Sequence, residues 1–101
     1  MSNVETKLFD PAEYLDDSTS IAAYLTDALE SDDPAFVADA LGVVARARGM
    51  SEVAREAGVS RESLYRALSA DGNPEFATVL KVMRALGLQL SAAPLRAEKV
   101  A

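Results

Sequence analysis

The stretch REAGVSRESLYRAL, from Arg55 to Leu68, decides how the rest of this chain is read. Small apolar residues lead up to Gly58, two residues later Ser60 offers a hydroxyl, and Leu64, Ala67 and Leu68 then recur at helical spacing. A serine ahead of such a run is an N-cap signal, and a lone glycine after Val53, Ala54 and Ala57 is a helix-stop signal. The stretch therefore predicts two short helices separated by only Gly58-Val59-Ser60, a helix-turn-helix arrangement. Ala54 is small where the second helix crosses the first, Gly58 takes a positive φ, and Val59 and Leu64 fill the angle between the helices. At about 100° per residue, Leu64, Ala67 and Leu68 point inward and leave Glu62, Arg66 and Ser69 outward, with Ser63 and Tyr65 on the flanks and Arg61 at the N-terminal end.

Residue types on that outer face fit base edges in a DNA major groove. Arginine can grip guanine through O6 and N7, glutamate can accept from cytosine N4, and serine can serve base or phosphate. Arg61, Glu62, Ser63 and Arg66 are the expected base readers. Ser60 and the free N–H groups at the helix start are placed for a phosphate, with Arg48, Arg55 and Lys81 as further backbone contacts. The plainer alternative is a solvated Arg/Glu face in a helical bundle that never meets DNA. Glu52, Glu56 and Glu62 would each repel phosphate, which a homodimer offsets by doubling the contacts over two half-sites.

The surrounding chain extends the helical reading. Asp10-Pro11 opens a short piece ending in AEYL, and a clearer helix with Ile21, Leu25, Ala28 and Leu29 follows the polar run Asp16 to Ser20. Asp33-Pro34 pairs a cap with an N1 proline ahead of an apolar stripe, Phe36, Val37, Ala40, Leu41, Val44 and Ala47, which Gly49 ends. Asp71-Gly72-Asn73-Pro74 reads as a turn, cap and N1 proline before a last helix whose apolar face is Phe76, Val79, Leu80, Met83 and Leu86, stopped by Gly87. Beyond it, Leu88 and Leu90 alternate with polar residues as an extended segment would, suited to pairing with a partner chain or to fraying. The expected architecture is all-α, about five short helices in one domain. Residues 1–32 form an acidic N-terminal extension, 33–90 the helix-turn-helix core and 91–101 a tail.

Composition narrows the chemistry. The 101 residues are 50% hydrophobic but only 6% aromatic, and there is no cysteine or histidine. Disulfides, thiolate or imidazole catalysis and nitrogen- or sulfur-ligated metal sites are thereby excluded. Adjacent pairs such as Asp16-Asp17 and Asp32-Asp33 have no glycine-rich phosphate loop or nucleophile elbow beside them, so no enzyme and no cofactor is expected. The start lacks a basic, apolar leader and no run approaches the roughly 18 apolar residues of a membrane span, which suggests a cytoplasmic protein. Formal net charge is −6, yet its distribution is lopsided. Up to Ala45, Lys7 stands alone against ten carboxylates; from Arg46 onward nine basic residues face six acidic ones. An acidic front and a basic back suggest two surfaces with different partners; the plainer alternative is that the acidic residues keep a small protein soluble.

The segments VSRESLYRALS, GNPEF and LKVMRALGL, with FDPAEYL at the front, resemble bacterial addiction-module antidote proteins, the HigA-like antitoxins with a lambda-repressor/Cro-type helix-turn-helix. The likeness runs from about Phe9 to Leu88. It implies a fold of about five helices, a cytoplasmic location, neutralisation of a cognate RelE/HigB-like toxin and repression of the operon encoding both. It assigns groove contacts to Ser60, Arg61, Glu62, Ser63 and Arg66. Repressors of this class often carry glutamine at the start of the first motif helix as a phosphate contact, where this chain has Met50. Because such toxins act on RNA and are generally basic, Phe9, Tyr14, Leu15 and Tyr24 with their acidic neighbours are the expected toxin-facing surface. Tyr14, Leu15 and Tyr24 could instead be core residues of the N-terminal helices. A stand-alone phage-type repressor without a toxin, or an interaction domain that keeps the shape, are the competing functions.

Overall fold

The computed structural model describes residues 17–95, and the expected short piece at Asp10 and the end of the tail lie outside them. Five helices are seen among the described residues: α1 (Ser18–Glu30), α2 (Pro34–Arg48), α3 (Met50–Ala57), α4 (Arg61–Ala67) and α5 (Phe76–Ala85). The fold is all-α. None of these helices is long and apolar enough to cross a membrane.

Helix α1 starts inside the polar run that was expected to precede it. The Asp17 carboxylate accepts a hydrogen bond from Ser20 N–H at 2.8 Å, so an acidic side chain closes the first turn. That bond is the main reason its carboxyl sits below the ordinary value of 3.8. At the other end Ser31 Oγ donates to the Ala28 carbonyl at 2.6 Å and Asp32 takes φ 58°, turning the chain back. Asp33 then caps α2 by accepting from Ala35 N–H at 3.1 Å, with Pro34 in the first turn, as the Asp-Pro pair predicts.

Helices α1 and α2 pack as a hairpin, while α3 packs against α4 and, most extensively, α5. Ile21 and Leu25, Leu41 and Val44, Val53, Leu64 and Leu68, and Val82 and Leu86 meet in one core. The buried arc of α2 is wider than its stripe suggested. Ala38, Gly42 and Ala45 are buried as well, because neighbours cover the helix on more than one side. Phe36 and Ala47, at the margins of the expected stripe, are exposed. Gly42 marks a close approach that the sequence did not signal: a Cβ there would overlap the backbone carbonyl of Leu68.

The last helix differs from expectation in both start and register. Glu75, extended at φ −64° and ψ 151°, occupies the cap position and α5 begins at Phe76, so Pro74 lies in the preceding loop rather than at N1. That loop is anchored behind α4, where Gly72 lies too close to the carbonyls of Arg66 and Ala67 for any side chain. The helix turns Val82, Met83 and Leu86 into the core and leaves Phe76 and Leu80 66% and 43% exposed. Gly87, at φ 79°, ends it by donating to Arg84 O while Leu88 N–H reaches Met83 O, the Schellman arrangement. Leu88 and Leu90 are half-buried against the protein's own core, which accounts for their alternation without a partner strand.

Candidate nucleic-acid interface

The α3–turn–α4 pair is built as its sequence demands. Gly58 is left-handed at φ 75° and ψ 30°; its N–H donates to Arg55 O and the Val59 N–H to Ala54 O. Nothing lies within 4 Å of where a Gly58 side chain would stand, so conformation rather than space requires glycine. Ala54 is 3% exposed, which lets the chain fold back tightly, and Val59 packs on the core edge. Ser60 Oγ accepts from Ser63 N–H at 3.0 Å and closes the first turn of α4. Replacing Ser60 by alanine should therefore cost about 1 kcal/mol. An unchanged urea midpoint would show that the hydroxyl is dispensable to the turn.

Helix α4 has seven residues, of which Leu64 alone is buried, and Leu68 just beyond it is buried too. Arg61, Glu62, Ser63 and Arg66 are all exposed on the remaining surface. Ser63 also lines a shallow cleft of about 190 Å³ shared with Asn73, Pro74 and Glu75, so one of its sides faces the loop before α5. Tyr65, on the flank of the expected outer face, has its ring centre 5.5 Å from the Arg61 guanidinium carbon. Spacing of four along a helix was the available signal. Stacking on the ring restricts a long side chain at the leading end of the exposed face.

The flanking cations divide. Arg55 and Lys81 are exposed on α3 and α5. Arg48, at the end of α2, donates to the carbonyls of Ala85 and Leu86 at 3.4 and 3.3 Å, satisfying acceptors at the end of α5. That geometry makes Arg48 a tether between helices. Met50 is 5% exposed, so the position where repressors often carry glutamine is used for packing.

Of the expected toxin-facing residues, Phe9, Tyr14 and Leu15 lie outside the described residues. Tyr24 is half-buried and packs against the core between α1 and α2. Burial first, and the Asp39 charge second, push its hydroxyl above the usual tyrosine range, with Arg46 acting in the opposite sense.

Taken together, these features define an all-α domain whose short helix pair leaves Arg61, Glu62, Ser63 and Arg66 exposed. The chain belongs to the family described as probable addiction module antidote proteins, whose model matches residues 5–94. It is also 54% identical over 85 residues to an uncharacterized protein of Haemophilus influenzae, covering 84% of this chain and 88% of that one. No solved structure matches.

Proposed function

We propose that the protein is the antitoxin of a type II toxin–antitoxin module, which neutralises a RelE/HigB-like toxin by direct binding and represses its own operon as a cytoplasmic homodimer. Membership of the antidote family supports the antitoxin half of this reading. The observation that carries the DNA half is the division of α4, with Leu64 buried and Arg61, Glu62, Ser63 and Arg66 presented to solvent beyond the Gly58 elbow. Arg61 and Arg66 read base edges, Glu62 and Ser63 supplement them, and Ser60 with Arg55 and Lys81 contacts phosphates. Arg48 contributes by holding α2 and α5 together behind the pair. The excess of carboxylates before Arg46 serves the toxin, and the basic second half serves the operator.

The test is a gel-shift series on the protein's own promoter. With six or more phosphate contacts shared by a dimer, affinity should fall roughly 10³-fold or more between about 50 and 200 mM salt. Arg66→Ala should lose about 1–3 kcal/mol of operator binding and relax preference at one base pair while toxin inhibition is retained. Full operator affinity in that variant would remove Arg66 from the interface, and absence of any salt-sensitive shift in the wild type would end the repressor reading.

A further inference from the structure

The exposed side of α4 falls into three rows. At about 100° per residue, Glu62 and Arg66 lie nearly opposite the buried Leu64, Ser63 sits on one flank beside the small cleft, and Arg61 and Tyr65 share the other flank. The two arginines are therefore held differently. The Tyr65 ring centre is 5.5 Å from the Arg61 guanidinium carbon, inside the roughly 6 Å reach of a cation–π contact. Among the described residues nothing of the kind holds the Arg66 guanidinium, and no hydrogen bond or ion pair competes with the ring for that of Arg61. Tyr65 is 41% exposed and lies outside the enclosed core, so its ring is not a packing wedge. A long side chain at the first position of a helix otherwise leans off the leading end. Contact with a ring one turn later brings the guanidinium back along the flank.

We infer that Tyr65 is a positioning residue for Arg61: its ring holds the guanidinium along the flank of α4, so that Arg61 discriminates its base pair more sharply than the unheld Arg66 does. The inference rests on the reading of α4 as the DNA-reading helix, and it goes on to say which of the two arginines carries most of the selectivity. A free arginine samples many rotamers, and it must give them up when its fork grips O6 and N7 of a guanine. A guanidinium already lodged on a ring gives up fewer, and a fork aimed in one direction tolerates a misplaced acceptor less well. The N–H groups of Arg61 are not engaged by protein acceptors among the described residues, so the fork remains available to a base. Exclusion of water as the pair meets a duplex strengthens the hold of the ring.

The full chain and its variants each select from a library of duplexes built on the chain's own promoter with the bound region randomised, and sequencing reads the preference at every base pair. Arg61→Ala and Arg66→Ala mark the pair that each arginine reads. Tyr65→Leu should reduce discrimination at the Arg61 pair roughly tenfold and leave that at the Arg66 pair within about twofold. The slope of affinity against salt should not change, because no phosphate contact is lost. Tyr65→Phe keeps the ring and should select as the wild type does, and adding Tyr65→Leu to Arg61→Ala should cost nothing further. In the free protein, proton NMR should find the Arg61 methylene beside the guanidinium shifted upfield by the ring, and Tyr65→Leu should abolish that shift. Should Tyr65→Leu lower the urea midpoint, Tyr65→Gln takes its place under the same criteria. Wild-type selectivity in Tyr65→Leu, no upfield shift in the wild type, or Arg61→Ala relaxing no base pair overturns the inference. An equal loss in Tyr65→Phe, a lowered salt slope, or losses that add in the double variant also overturns it, by making Tyr65 a DNA contact in its own right. In each of those cases a selective wild type leaves the repressor reading standing. If the wild type enriches no sequence and shows no salt-sensitive binding, the repressor reading falls and this inference falls with it.

Discussion

Valine in place of Gly42 is expected to lower the melting temperature by at least about 10 °C, the largest loss of any single substitution considered. Gly42 faces the end of α4, and the first carbon of any side chain would overlap the Leu68 carbonyl oxygen, which is backbone and cannot swing aside. The Arg46 guanidinium, 3.3 Å from the same point, could move; the carbonyl could do so only by displacing the last turn of α4. Overpacking costs about 1–3 kcal/mol in a core that can adjust, and this contact leaves little to adjust. Alanine should act in the same direction and less strongly. Scanning calorimetry on both variants checks the expectation, and a valine variant that melts like the wild type would mean that α2 and α4 do not approach so closely.

Leu64→Ala should be nearly as damaging, by about 2–5 kcal/mol. Seven residues cannot hold a helix in water unaided, so α4 depends on what it buries. Leu64 is 1% exposed and supplies the only fully enclosed side chain within the helix, with Leu68 as its neighbour just past the end. Truncation would leave a void at the junction of α3, α4 and the rest of the core. Urea denaturation measures the loss. A midpoint within experimental error of the wild type would imply that α4 is seated by its caps and by Leu68, and that the outward placement of Arg61 and Arg66 does not depend on Leu64.

The helix pair was legible because its constraints are local. Gly58, Ser60 and Leu64 each act within a turn or two of their own position, and the left-handed elbow, the capped turn and the buried leucine are all present. The Asp33-Pro34 start of α2 was legible for the same reason. Register at the margins was not. Phe76 and Leu80 are as apolar as Val82, and only the direction from which α3 approaches α5 decides which of them is enclosed. Gly42 likewise looks like an ordinary helical glycine until Leu68, far along the chain, is seen to lie against it. Arg48 looks like a free cation at the end of a helix, and its acceptors belong to residues 37 and 38 positions later. Of the candidate interface, the exposed positions on α4 follow from helical period alone, and the four-residue spacing of Arg61 and Tyr65 permits their contact, while the choice of ring rather than solvent for the guanidinium is a matter of rotamer that spacing does not fix.

Gly49 is at once the C-cap of α2 and the N-cap of α3, accepting from Val53 N–H at 3.0 Å while donating to Ala45 O at 2.8 Å. A joint one residue long has no slack. An inserted residue there would have to be absorbed by swinging α3, and α4 with it, about a third of a turn around the axis of α2. Length changes are therefore not admissible at this knuckle, and the bearing of the arginine-carrying helix relative to the acidic hairpin is set by a single peptide unit.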